Sequence, residues 1–114
     1  MSLHNFGQNQ QRRNNLTVLP VEIGELTALE ELFLHNNALR ELPAGVFHKL
    51  KKLEQLWLLG NQLHAYGPEK LVGVLNPLPK KCRIFLQNNG FNKKQREFIL
   101  QQLSYSGHNN VKVE

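Results

Sequence analysis

A pattern of leucines recurs in this chain at a fixed interval of 24 residues. The stretch that begins at Leu53 reads Leu-Glu-Gln-Leu-Trp-Leu-Leu-Gly-Asn-Gln-Leu, and the stretch that begins at Leu29 has its leucines and its asparagine at the same five positions. Agreement at several spaced positions indicates an internal structural repeat rather than a chance run of leucines. Such a repeat restricts the chain to architectures in which similar units stack on one another.

The pattern Leu-x-x-Leu-x-Leu-x-x-Asn-x-Leu resembles that of leucine-rich repeat proteins, and both stretches match it at every landmark. The resemblance covers roughly residues 14–91. It implies an α/β fold, a short solenoid of about three to four repeats with a parallel sheet on the concave side and 3₁₀ or helical segments on the convex side. We therefore assign the repeats to residues 16–91.

Within each repeat, alternation should bury two strand leucines, such as Leu32 and Leu34. The asparagines of successive repeats should turn inward and satisfy buried backbone groups; these are Asn37, Asn61 and Asn89. Phe47 and Leu50 are expected to fill the convex half of the core. The segment between Asn61 and Asn89 is longer than the one between Asn37 and Asn61, and we expect it to contain a helix that begins at Pro68.

The N-terminal residues 1–15 are rich in Asn and Gln. We expect a polar cap or degenerate first repeat there, with Asn9 and Gln11 where later repeats have buried leucines. The alternative that residues 1–8 are disordered or an appended segment stays open.

The C-terminal residues predict one more helix. Asn92 and Gln95 have the spacing of a capping box, and Phe98, Ile99, Leu100 and Leu103 would form its apolar side. We expect a capping helix at residues 92–104 over the open end of the last repeat. Residues 105–114 are expected to form a tail.

The length and composition of the chain limit the classes of partner and the cellular locations to be considered. A chain of 114 residues is one module, and its net charge of +5 favours anionic partners without requiring them. The single cysteine, Cys82, excludes an internal disulfide, and neither a signal peptide nor a long apolar run is recognisable. We therefore expect an intracellular, cytoplasmic protein without a transmembrane segment. The composition also resembles that of intracellular bacterial repeat proteins, including effectors translocated into host cells.

The sequence lacks the motifs of common active sites. The five histidines lack the spacing of a helical metal pair, no aspartate is present, and Cys82 has no second cysteine nearby. We therefore expect no enzyme activity, no cofactor, no metal and no small-molecule substrate, and we interpret the chain as a noncatalytic binding module.

The candidate binding residues lie on the outward side of the predicted strands. The position between the two buried strand leucines is aromatic in three successive repeats: Phe33, Trp57 and Phe85. Neighbouring strands would place these rings side by side on the concave face. The flanking positions are mostly polar; they are Glu31, Gln55 and Arg83 before the aromatics and His35, Leu59 and Gln87 after them.

An apolar stripe with a polar rim is typical of a protein-binding surface. The predicted partner is therefore a protein of unknown identity, or a second copy of the chain. The alternative is that the three aromatics pack on one another and only stiffen the sheet.

A rival interpretation uses the positive charge. Several cations precede consecutive strands and should lie on one edge, and others begin the terminal helix; they are Lys51, Lys52, Lys80, Lys81 and Arg83, then Lys93, Lys94 and Arg96. Such an edge could bind nucleic acid or anionic phospholipid. The alternative is a solvated edge without a partner.

Overall fold

The leucine repeats build a single sheet with short connecting helices. The computed structural model describes residues 2–3 and 16–114, and of residues 2–3 only the backbone. The elements are β1 (Ser2–Leu3), β2 (Glu31–Phe33), β3 (Gln55–Trp57), α1 (Pro68–Leu75), β4 (Arg83–Phe85), α2 (Lys93–Tyr105) and β5 (Val111–Lys112). Two 3₁₀ helices, Val21–Glu25 and Leu63–Ala65, lie on the returning segments.

The strands pair in parallel and in chain order, from β1 to β5. Leu32 of β2 is opposite Leu56 of β3, which is opposite Ile84 of β4. Equivalent landmarks of successive repeats therefore share one register. This confirms the predicted fold, a short α/β leucine-rich repeat solenoid whose parallel sheet forms one face.

The core lies behind the sheet and is made of the repeat leucines. Leu32, Leu34, Leu56 and Leu58 are fully buried, because alternation turns each of them away from the concave face. The three asparagines are also buried. The Nδ2 of each donates to a carbonyl oxygen three residues earlier, which confirms the predicted inward turn.

The convex side is partly helical. Phe47 and Leu50 are fully buried there, as predicted, although their segment folds as turns. The predicted helix is α1, which has Pro68 in its first turn and buries Leu71, Val74 and Leu75.

The predicted C-terminal helix is α2. Asn92 and Gln95 form the capping box, since each side chain accepts a hydrogen bond from the other's backbone N–H. Ile99 and Leu103 are buried, and α2 packs against α1. The apolar side is narrower than predicted, because the Leu100 side chain remains 38% exposed.

The expected tail at residues 105–114 is instead part of the fold. After α2 the chain returns to the sheet, and β5 pairs with β4. The backbone N–H of Ile84 donates to the Asn110 carbonyl at 2.9 Å, so β5 satisfies groups that the edge of β4 would otherwise leave unpaired. His108 and Val113 are buried by this return.

At the other end of the sheet, β1 places Leu3 opposite Leu32. Asn9 and Gln11, the residues predicted for this position, lie outside the described residues. The residues after this segment pair with the next coil: Val18 forms a parallel bridge with Glu41, and the Ala38 N–H donates to the Leu16 carbonyl.

Candidate functional site

Three aromatic side chains lie side by side on the concave face. Phe33 is opposite Trp57, and Trp57 is opposite Phe85, as the repeat spacing predicts. The ring centroids are 5.0 Å apart in both pairs, with the rings inclined at 61° and 53°. We call these three residues the aromatic lane.

The rings of the aromatic lane cover part of one another. All three side chains are half-buried, although they point away from the core. Inclined aromatic pairs at this spacing contribute about 0.5–1.5 kcal/mol each beyond the area they bury. The lane therefore stabilises the sheet, and its remaining exposed surface is a continuous apolar stripe.

The residues two positions before the aromatic lane hold the Trp57 indole in place. Gln55 donates from Nε2 to Glu31 Oε2 at 3.2 Å, and its Oε1 accepts from Trp57 Nε1 at 2.9 Å. The indole is thus fixed between two rings and a hydrogen-bonded amide. Arg83, the third residue of this row, is exposed.

The positions that follow the lane extend the same surface. The His35 ring lies 5.5 Å from that of Trp57 and 6.3 Å from that of Phe33, centroid to centroid. Leu59 and Gln87 continue the row and are half-buried. The structure thus brings all nine predicted residues onto one face of β2, β3 and β4 and the residues that follow them.

A cation that the repeat pattern does not predict lies at the end of the aromatic lane. Lys112 of β5 is opposite Phe85 and is exposed. The interval of 27 residues from Ile84 to Val111, similar to the 28 residues from Leu56 to Ile84, is the signal that could have pointed to this further strand. The lane therefore ends beside two positive charges, Arg83 and Lys112.

All residues of the predicted basic edge except Arg96 are exposed to a partner. Its lysines are exposed, as is Arg83. Arg96 is instead half-buried, and its Nη1 donates to the Phe91 carbonyl at 2.9 Å. Its guanidinium is thereby used to hold the start of α2.

The Cys82 thiol is buried, which makes it weakly nucleophilic. Burial, with the nearby Glu54 carboxylate in second place, raises the pKa of the Cys82 thiol to about 12. Across residues 2–3 and 16–114, no three His, Cys, Asp or Glu side chains cluster to hold a metal ion. None of the helices described is long and apolar enough to cross a membrane.

The sequence is similar to known leucine-rich repeat proteins. The leucine-rich repeat family model matches residues 12–63. Podocan-like protein 1 of Mus musculus is 38% identical over 81 residues, which are 69% of this chain and 13% of that protein. The Homo sapiens podocan-like protein 1 is 34% identical over 89 residues, 76% of this chain and 16% of that protein.

Another relative is the leucine-rich repeat and fibronectin type-III domain-containing protein 4 of Rattus norvegicus. It is 41% identical over 59 residues, 51% of this chain and 9% of that protein. The chain thus spans less than a fifth of the length of these curated relatives. They are mammalian and give no support to the expected bacterial effector resemblance. Together with the repeat geometry, these similarities make this chain a leucine-rich repeat protein.

Proposed function

We propose that the chain is a noncatalytic module that binds a protein partner through its concave face. The observation that carries the proposal is the aromatic lane, three adjacent rings on neighbouring strands with polar residues on both sides. Large aromatic side chains within a polar rim dominate the binding energy of many protein interfaces.

The rigidity of the lane supports this function. Gln55 holds the Trp57 indole by one hydrogen bond and Glu31 by another. A side chain that is already ordered loses less conformational freedom on binding, which favours affinity. The lane can therefore stabilise the sheet and contact a partner at the same time.

The test compares the lane with an exposed aromatic outside the sheet. Trp57→Thr combined with Phe85→Thr removes two rings and keeps residues that favour strands. Tyr105→Thr is the matched control, because Tyr105 is on α2 and is 77% exposed. Partners are isolated with the wild-type chain from cells of its source organism, and their affinities for the three purified proteins are then measured.

We expect the lane variant to lose about thirtyfold or more in affinity, since central aromatic anchors contribute about 2 kcal/mol or more. The control should bind like the wild type. Thermal unfolding of each variant establishes that it is folded, and sedimentation shows whether the partner is a second copy. A folded lane variant with unchanged affinity and unchanged self-association would exclude the concave face.

A second candidate is binding of nucleic acid or anionic phospholipid to the basic edge. Its support is four exposed lysines that precede β3 and β4 in the chain: Lys51, Lys52, Lys80 and Lys81. Such binding should weaken steeply between low and physiological salt. If the chain bound RNA, DNA and anionic vesicles only weakly and independently of salt, the second candidate would be excluded and the lysines would be solvent-exposed residues without a partner.

We propose an intracellular location, supported by the single cysteine, which requires no oxidising compartment. The mammalian relatives give no support to delivery of a bacterial effector into a host cell. Imaging the tagged full-length protein in its source organism would test the location directly.

A further inference from the structure

A cleft opens on the concave face between β4 and β5, at the end of the aromatic lane. Its volume is about 320 Å³, and its lining residues are Arg83, Phe85, Asn109, Asn110 and Lys112. Two of these five carry positive charge, two carry amides, and none is acidic. The cleft therefore combines the apolar ring of Phe85 with amide hydrogen-bond donors and two cationic side chains.

The Arg83 and Lys112 side chains are close enough to contact the same anionic group. Arg83 lies two residues before Phe85 on β4, and Lys112 is opposite Phe85 on β5. The two cations are thus diagonal neighbours on the same face of a parallel strand pair, with about 8 Å between their Cα atoms. Neither forms an ion pair with a residue that the structure describes. An anion between their flexible side chains would replace repulsion by two attractions.

Among the residues that the structure describes, the positive charge on the strands of this face is confined to β4 and β5. In the row that contains Arg83, the earlier strands have Gln55 and Glu31, which are hydrogen-bonded to each other. Glu54 is exposed just before β3. A polyanion that ran along the whole face would therefore meet carboxylates, whereas the residues that line the cleft include none. Charge complementarity favours one carboxylate.

We propose that this cleft binds the carboxylate of an aspartate or glutamate side chain of the protein partner. The carboxylate lies between Arg83 and Lys112, and the adjoining apolar part of the partner packs on Phe85. The Asn109 and Asn110 amides are further donors at the cleft. This inference rests on the proposed function, since it assigns a chemistry to one end of the same binding face.

The test uses 3-phenylpropionate, which joins a carboxylate to an aromatic ring. Its uncharged counterpart 3-phenylpropionamide and inorganic phosphate are the comparison probes. Each is titrated into the ¹⁵N-labelled full chain, and the backbone amide shifts are followed by NMR. We expect saturable shifts from 3-phenylpropionate that centre on Phe85, Asn110 and Lys112, and weak, scattered shifts from the other two.

Arg83→Gln and Lys112→Gln should each weaken this binding about three- to tenfold, because each removes a charge-assisted contact. Lys49→Gln, which removes a cation paired with Glu25 on the returning segments, should not. Equal binding of the amide, stronger binding of phosphate, or no effect of Arg83→Gln would overturn the assignment.

The two proposals fail separately. A chain that binds 3-phenylpropionate in the cleft but whose partner ignores the Trp57 and Phe85 substitutions keeps a carboxylate-binding cleft, but loses both the concave-face function and the assignment of that carboxylate to the partner. A partner that depends on Trp57 but is unaffected by Arg83→Gln and Lys112→Gln keeps the function and overturns the cleft.

Discussion

The side-chain Nδ2 of Asn61 lies 3.0 Å from the carbonyl oxygen of Leu34, which belongs to the preceding coil. The same nitrogen donates to the Leu58 carbonyl at 2.8 Å, and the Asn61 Oδ1 accepts from the Leu39 N–H at 3.1 Å. One buried amide therefore satisfies three backbone groups from two coils. Asn89 repeats the arrangement one coil later, with Leu58, Leu86 and Leu63 as its partners.

Replacement of this amide should strongly destabilise the chain. Asn61→Ala leaves the buried Leu39 N–H without a partner, which costs about 1–3 kcal/mol. The carbonyls of Leu34 and Leu58 each lose one hydrogen bond and keep another, from Asn37 and Asn89 respectively. We expect the free energy of unfolding to fall by about 2 kcal/mol or more, measured by urea denaturation. Asn76→Ala, at an exposed asparagine, should change it by less than about 0.5 kcal/mol. Similar losses in both variants would show that the amide ladder is not a major source of stability.

The spacing of leucines and asparagines was sufficient to predict the register of β2, β3 and β4, because each repeat carries its own landmarks. It did not predict β5. Val111–Lys112 is too short to be recognised by alternation, and its pairing with β4 depends on the direction in which α2 returns the chain. A short strand that forms because it pairs with a neighbouring strand has little strand pattern in its own sequence.

The candidate site was predictable to a similar extent. Period-two alternation placed Phe33, Trp57 and Phe85 on one face. The inclination of the rings and the Gln55 hydrogen bond to Trp57 are set by side-chain packing, which the sequence pattern does not contain. Leu100 shows the same limit on α2, where an apolar residue at a plausible position remains partly exposed.

Buried His108 should make stability depend on pH. Its Nε2 lies 3.0 Å from the Asn76 carbonyl oxygen, and its Nδ1 has no hydrogen-bond partner among the described residues. Burial lowers the pKa of His108 below its ordinary value of 6.5; the Asn76 hydrogen bond opposes this and the charge of Lys80 adds to it. The neutral imidazole is therefore the form that the folded chain holds.

Because the pKa of His108 is lower in the folded state, the unfolded chain binds the proton first as pH falls. The contribution of His108 is thus fully present above about pH 6.5 and is lost progressively below it, down to the folded-state pKa. Urea denaturation at pH 7.5 and pH 5 should show this loss. It should shrink in His108→Gln and persist in His48→Gln, whose imidazole is exposed in the wild type. An equal pH dependence in all three proteins would contradict the assignment.

The Cys82 thiol should be unreactive while the chain is folded. Its side chain is fully buried, and the pKa of about 12 leaves only about one thiolate in ten thousand at pH 8. We expect negligible reaction with Ellman's reagent in native buffer and complete reaction of the single thiol in denaturant. A Cys82→Ala chain carrying Lys49→Cys provides an exposed thiol for comparison. Rapid labelling of wild-type Cys82 under native conditions would show that the segment around β4 opens readily.

Two glycines should respond in opposite directions to the same substitution. A Cβ atom at Gly24 would lie 2.7 Å from the carbonyl oxygen of Val46, a backbone atom in the next coil. Gly24→Ala must therefore push two coils apart, and overpacking of this kind costs about 1–3 kcal/mol.

Gly73 lies within α1, and a Cβ atom there would meet nothing within 4 Å. Gly73→Ala should raise the free energy of unfolding by about 0.5–1 kcal/mol, because alanine favours the helix and restricts the unfolded chain. Differential scanning calorimetry should thus show a lower melting temperature for Gly24→Ala and a higher one for Gly73→Ala. If Gly24→Ala melted like the wild type, the contact between Gly24 and Val46 would not limit how closely the first two coils stack.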